Sequence, residues 1–154
     1  MTSKASVKID DQYSESFNII KGVRQGCPLS PILFNLFIND IFNEFSELGI
    51  PLGESRCCGG LFADDIVLCA PSRTTLKKML KKVNEWAKFN MMNFGINKYS
   101  TMIIRPDTPL FQNKRDPTFF YHAGQSIPIT KCYTYLGIPF DKSLSLNPII
   151  KLLN

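Results

Sequence analysis

The chain reads as an α+β domain in which short antiparallel strands pack against two amphipathic helices. Three observations predict this. Apolar residues recur at helical spacing in two stretches: Leu33, Phe34, Phe37, Ile38, Ile41, Phe42 and Phe45, and then Leu76, Met79, Leu80, Val83, Trp86 and Ala87. Between them lies Gly60-Leu61-Phe62-Ala63-Asp64-Asp65-Ile66-Val67-Leu68-Cys69-Ala70. Its two apolar runs are too short for helices and rich in branched or aromatic residues, so they predict two buried strands joined by a tight turn at Ala63-Asp64-Asp65. The remainder offers short extended pieces punctuated by glycine and proline.

Composition narrows the function classes. The 154 residues are 44% hydrophobic and 20% charged, which predicts a packed core rather than a disordered chain. No apolar run reaches the roughly 18 residues that span a bilayer, so no membrane partner is expected. The opening Met1-Thr2-Ser3-Lys4-Ala5-Ser6-Val7-Lys8 lacks the apolar core of a secretory signal and points to an intracellular location, the nucleus among the options. Cys27, Cys57, Cys58, Cys69 and Cys132 are odd in number and form no C-x-x-C, and His122 is the sole histidine. Neither a zinc site nor a disulfide framework is indicated, and reduced thiols are expected. A net charge of +5 and a pI near 9.0 favour a polyanionic partner.

Taken in order, Val7-Lys8-Ile9 and Phe17-Asn18-Ile19 alternate apolar with polar around Asp10-Asp11-Gln12-Tyr13-Ser14, which predicts a hairpin with the two aspartates in its turn. Residues 22–31 carry two glycines and two prolines and form an irregular loop. Ser30 fits the N-cap of the first helix and Pro31 its first helical position, while Gly49 and Pro51 stop it near Leu48. Such a loop opening onto a helix lets backbone N–H groups approach a phosphate or a sugar edge, with Arg24 adding charge; an ordinary loop and cap is the plainer alternative. Residues 49–59 read as a turn-rich connection in which Arg56, Cys57 and Cys58 fit no motif.

Ser72 or Thr74 caps the second helix, expected from Thr75 to about Asn90. Its outer face carries Arg73, Lys77, Lys78, Lys81, Lys82 and Lys88 against Glu85, either a solvated face or a surface for a nucleic-acid backbone. Residues 100–104 suggest an edge strand of the same sheet, residues 105–117 a surface loop, and residues 119–138 further extended pieces with Gly124 and Gly137 at bends. Residues 148–153 look like the start of another helix.

Burying two acids side by side costs several kcal/mol, so Asp64 and Asp65 must meet water, a cation or a metal ion. Aspartates also cap ordinary turns. A solvated turn rarely has such continuously apolar arms, however, and carboxylates held on a core hairpin suit a metal-dependent phosphoryl-transfer site.

The motifs Gly22-Val23-Arg24-Gln25-Gly26-Cys27-Pro28-Leu29-Ser30-Pro31-Ile32-Leu33-Phe34, Phe62-Ala63-Asp64-Asp65, Phe94-Gly95-Ile96-Asn97-Lys98 and Tyr135-Leu136-Gly137-Ile138 occur in this order. Together they closely resemble the reverse transcriptases of non-LTR (LINE-type) retrotransposons over roughly residues 5–141. The resemblance implies a polymerase palm that joins a DNA primer to a deoxynucleoside triphosphate on an RNA template, with Mg²⁺ or Mn²⁺. It assigns metal binding and catalysis to Asp64 with Asp65, and the template and nucleotide to Arg24, Gln25, Gly26, Pro28 and Ser30. Lys98 falls near the triphosphate, and Tyr135, Leu136 and Gly137 at the primer grip. The palm would occupy residues 1–105, a loop and primer-grip-like β-unit 106–141, and the start of a thumb or linker 142–154.

One element of the family pattern has no counterpart here. An aspartate on a strand upstream of the Arg24-Gln25-Gly26 loop is expected, and nothing before Gly22 fits it. The resemblance implies that the fingers and most of the thumb lie beyond these residues as well. Two Mg²⁺ ions about 3.5–4 Å apart need carboxylates from two strands, so the chain alone is expected to be inactive unless another segment supplies the missing strand or fingers. The alternative function is a decayed palm that binds nucleic acid without polymerising. An unrelated metal phosphohydrolase would need ligands beyond the single His122.

Overall fold

The computed structural model describes residues 3–105, 119–122 and 124–145. Most of the expected 105–117 loop and the helix start over 148–153 lie outside the described residues. Two compact units divide the chain, Met1–Lys82 and Val83–Asn154. The α+β class holds: among the described residues two α-helices accompany short strands paired in six small sheets, five of two strands and one of three. The single antiparallel sheet expected from the sequence is not formed by these residues.

The first unit opens with two nested hairpins. β1 (Ser3–Ala5) pairs with β4 (Phe17–Ile19), and β2 (Lys8–Ile9) pairs with β3 (Gln12–Tyr13). The expected pairing of residues 7–9 with Phe17–Ile19 is therefore wrong, because the Asp10-Asp11 turn acts earlier. Asp10 takes φ +52° and returns the chain at once, and the Ser14 N–H donates to the Val7 carbonyl at 2.9 Å to seal the inner hairpin.

α1 (Ser30–Ile38) passes into a 3₁₀ segment (Asn39–Leu48) kinked at Phe45, and Gly49 then leaves extended. The helical run stops where the sequence predicts. Its apolar stripe is only partly buried, with Ile38, Ile41 and Phe45 enclosed but Leu33 and Phe37 exposed. The exposed pair lies in α1, whereas the enclosed Ile41 and Phe45 lie in the 3₁₀ segment. Residues 49–59 are more ordered than expected, since β5 (Ile50–Leu52) and β6 (Ser55–Cys57) form a hairpin turned by Gly53 at φ +60°. β7 (Gly59–Phe62) and β8 (Asp65–Leu68) follow as a third. Cys58, Met79 and Leu80 complete the small core of this unit.

α2 (Arg73–Phe89) begins on the Ser72 hydroxyl, which accepts the Thr75 N–H at 3.1 Å and so settles the cap on Ser72 rather than Thr74. It ends in a Schellman arrangement: the Met92 N–H reaches the Ala87 carbonyl at 2.7 Å and the Met91 N–H the Lys88 carbonyl at 3.1 Å, with Met91 at φ +53°.

In the second unit Val83, Trp86, Ala87, Phe120 and Ile127 are buried. β11 (Gln125–Thr130) is central, antiparallel to β10 (Phe119–His122) and parallel to β9 (Thr101–Met102). The strand expected over 100–104 thus joins β11 instead of the acid hairpin's sheet, and the long connection between β9 and β11 permits the parallel pairing. Asn84 Nδ2 hydrogen-bonds His122 Nε2 at 2.6 Å, tying α2 to β10. β12 (Cys132–Tyr135) and β13 (Ile138–Asp141) form the last hairpin. No described helix is long and apolar enough to cross a membrane.

Candidate active site

The acid pair sits at the tip of the β7–β8 hairpin. Phe62 pairs with Asp65, so Ala63 and Asp64 make a two-residue loop and Asp65 is the first residue of β8 rather than part of the turn. Ala63 has φ +50°, a left-handed conformation that costs a residue with a Cβ about 1 kcal/mol or more. Both carboxylates are exposed, as is Phe62, and the arms are half-buried rather than buried as expected, because the hairpin pairs with no further strand among the described residues.

The base of the hairpin is anchored. Gly59 has φ +142°, and a Cβ there would come within 1.8 Å of the Val67 carbonyl oxygen, so only glycine lets the two strands close. The ladder runs one step further through the Cys69 N–H to the Cys58 carbonyl at 2.7 Å. The Cys58 thiol donates to the Phe45 and Ser46 carbonyls at 3.3 and 3.1 Å, fastening the hairpin to the end of the first helical run. Arg56 Nη1 donates to the Gly49 carbonyl at 3.0 Å and braces the same corner. Two of the residues without a motif, Arg56 and Cys58, thus position the acid hairpin.

Residues 22–31 form two consecutive turns. The Cys27 N–H reaches the Arg24 carbonyl at 3.3 Å with Gly26 at φ +78°, as a type II turn requires, and the Ser30 N–H reaches the Cys27 carbonyl at 3.0 Å with Pro28 at the second position. Ser30 is not the N-cap, which is Leu29 without a side-chain bond. Instead Ser30 is buried in the first helical turn and its hydroxyl donates to the Arg24 carbonyl at 2.6 Å, so the serine closes the loop onto the helix. The Leu29 N–H, helped by Ser30 and Arg24, holds the Cys27 thiol below its ordinary pKa although burial opposes this.

On α2, Arg73, Lys77, Lys78 and Lys81 are exposed, and Lys82 is half-buried with Nζ 3.9 Å from Glu44 Oε2. Lys98 is exposed at the end of a 3₁₀ turn (Ile96–Lys98). Tyr135 closes β12, and Leu136 (φ +51°) with Gly137 (φ +79°) makes the tight turn into β13, the positive φ at both positions being that of a type I′ hairpin. Asp141, which sequence reasoning passed over, gathers the segment that follows. Its carboxylate accepts the backbone N–H groups of Ser143 and Ser145, each at 2.9 Å, and both serine hydroxyls. The Ser145 and Ser143 bonds lower its pKa to about 2. The Asp-x-Ser-x-Ser spacing carried that signal.

Two adjacent exposed carboxylates are a hard, all-oxygen donor set suited to Mg²⁺, which commonly takes one or two protein carboxylates and completes its shell with water and phosphate. No group of three or more His, Cys, Asp or Glu able to hold a metal occurs among the described residues.

The sequence matches the family described as "Reverse transcriptase (RNA-dependent DNA polymerase)" over residues 2–140. It is 33% identical over 139 residues to the retrovirus-related Pol polyprotein from type-2 retrotransposable element R2DM of Drosophila melanogaster, covering 88% of this chain and 13% of that protein. The RNA-directed DNA polymerase from mobile element jockey of Drosophila funebris is 31% identical over 152 residues, covering 92% and 15%. The Pol polyprotein of the type-1 element R2 of Nasonia vitripennis is 27% identical over 133 residues, covering 79% and 12%. The chain thus spans less than a sixth of the length of each of these relatives. With nearly its whole length inside the family match, and the loop, acid hairpin and tight Leu-Gly turn in the expected order, the chain belongs to the reverse transcriptase family, in its non-LTR retrotransposon branch.

Proposed function

We propose that the chain is part of the palm of a retrotransposon RNA-directed DNA polymerase that extends a DNA primer on an RNA template with deoxynucleoside triphosphates. The exposed Asp64-Asp65 pair at the tip of an anchored hairpin carries this reading. In it Asp64 and Asp65 hold Mg²⁺ or Mn²⁺, and the bound ion neutralises phosphate charge during in-line displacement. The two-turn loop presents Arg24, Gln25 and Gly26 to template and nucleotide, with Pro28 and Ser30 fixing its shape. Lys98 meets the triphosphate, the Tyr135-Leu136-Gly137 turn steadies the primer end, and the α2 lysines contact backbone phosphates. Another segment of a longer protein contributes the fingers and the strand bearing a further carboxylate.

The test is primer extension with Mg²⁺ by the chain alone and by a full-length relative whose matching stretch is replaced by residues 22–141. The chain alone should not extend, and the chimera should. Asp64→Asn in the chimera should lose about a hundredfold or more, the scale on which catalytic misplacement is felt. Undiminished extension by Asp64→Asn and Asp65→Asn would refute the assignment, and a folded chimera that never extends would favour the decayed palm.

A further inference from the structure

Among the described residues β10 is an outer strand of its three-stranded sheet, and its side chains alternate between two surroundings. Phe120 is enclosed and lies opposite the equally enclosed Ile127 of β11, so one face of this hairpin packs on the core of the second unit. The other face carries Phe119 opposite Pro128 and Tyr121 opposite Ser126, all four exposed. The two rings are 43% and 62% exposed, with centroids 6.5 Å apart and planes tilted by 54°, so they lie side by side rather than stacked on each other. Pro128 and Ser126 are small, and the rings reach water beside them. The strand that carries them is well held: β11 pairs with all four of its residues, and Asn84 of α2 hydrogen-bonds His122 at 2.6 Å.

Charge separates the occupants that could cover such a face. In the sequence, residues 83–154 carry eight Lys and Arg against four Asp and Glu, whereas residues 1–82 carry ten against nine, so most of the chain's positive charge belongs to the unit that holds this sheet. Lys131 follows β11 immediately, and Lys88 lies one helical turn beyond Asn84 on the same side of α2; both are exposed. An apolar protein segment gains nothing from that excess, but a polyanion with flat apolar faces does. An unpaired nucleic-acid strand is such a polymer, since its bases stack on aromatic rings while its phosphates meet nearby cations.

We infer that Phe119 and Tyr121 form a stacking platform for bases of an unpaired nucleic-acid strand, in addition to the acid hairpin, the two-turn loop and the Tyr135-Leu136-Gly137 turn. The platform rests on the proposed handling of nucleic acid and needs neither the metal nor the further carboxylate. Every base has a π face, so sequence preference should be low. Ring contacts release no counterions, so they should leave the salt dependence of binding unchanged.

The full chain is titrated by fluorescence anisotropy with end-labelled oligonucleotides of one sequence, as single-stranded RNA, single-stranded DNA and duplex DNA. Phe119→Leu and Tyr121→Leu keep an apolar side chain but remove the ring, and each should weaken single-strand binding about fivefold or more, the loss of one stacked base. Duplex affinity and the slope of log K against log salt should not move, and Tyr121→Trp should bind single strands at least as tightly as the unmodified chain. Ultraviolet crosslinking of the unmodified chain to a 5-bromouridine strand, mapped by mass spectrometry, should mark Phe119 or Tyr121, a readout that stands if a variant fails to fold. The platform is overturned if both leucine variants bind single strands like the unmodified chain, if they weaken duplex binding equally, or if crosslinks fall only on other residues. A chain that binds no single strand overturns it as well and leaves the face to a protein segment. Primer extension by the chimera with its Asp64→Asn control reads the catalytic proposal separately, so either can fail without the other.

Discussion

Ala63 bends the chain where a glycine would do so at less cost, and its position immediately before Asp64 ties that strain to the presentation of the carboxylates. Ala63→Gly removes the Cβ penalty but adds unfolded-state freedom, two effects of about 1 kcal/mol that oppose each other. Denaturant unfolding should therefore find Ala63→Gly near neutral, whereas Ala63→Val, branched at Cβ, should cost about 1–3 kcal/mol. A neutral valine would mean that the turn is not held in this conformation. Asp141 gives a second test. Its folded-state pKa of about 2 lies below the unfolded value of about 3.9, so its bonds to Ser143 and Ser145 are fully present above pH 4 and disappear as pH falls through about 2. The Ser143 and Ser145 amide resonances should titrate in that window, and the titration should vanish in Asp141→Asn.

Among the elements, α2 was the most legible in the sequence. Its inward residues were right at five positions, with Leu76 half-buried, and its cap was one of two named candidates. A long amphipathic helix declares its face through local spacing alone. Strand partners were not legible. The choice between Ser3–Ala5 and residues 7–9 as the partner of Phe17–Ile19, or between two sheets for Thr101–Met102, depends on turn geometry and contacts distant in the chain. The candidate site was legible because its residues follow one another in short motifs; the anchoring roles of Arg56 and Cys58 were not, since each acts through a carbonyl that no sequence pattern marks. For the basic face of α2, replacing Lys77, Lys78, Lys81 and Lys82 by Gln should flatten the dependence of nucleic-acid affinity on salt. The slope of log K against log salt should fall by about one for each phosphate that the helix no longer neutralises. The surface pair Lys82–Glu44, lost with this change, contributes at most about 1 kcal/mol. An unchanged slope would mean that the face is merely solvated.

For the molecule as a whole, the balance between buried and exposed apolar residues is the telling quantity. Among the described residues of the first unit six apolar side chains are enclosed, Ile38, Ile41, Phe45, Cys58, Met79 and Leu80. Against them Ile9 is 70% exposed, Ile20 87%, Leu36 69% and Phe62 62%, with Val7, Tyr13, Phe17, Val23, Ile32 and Leu33 exposed as well. Isolated exposed apolar residues are ordinary, but this many on the N-terminal hairpins and α1 exceed what a self-sufficient domain presents to water. The two-stranded sheets also leave their outer strands unpaired among the described residues, and open edges invite pairing with another chain. Because the chain matches under a sixth of each reported relative, the proposed longer protein has ample sequence to cover these faces. Purified alone, the chain should bind an apolar dye such as ANS and scatter light increasingly with concentration. A fusion of the whole chain to a relative's preceding segment should show weaker dye binding and remain monodisperse. Replacing Ile9, Ile20 and Leu36 by Lys should suppress self-association of the chain alone while leaving its helical circular dichroism intact, because none of the three is in the core. A wild-type chain that stays monodisperse and dark to the dye at high concentration would show that these side chains need no cover.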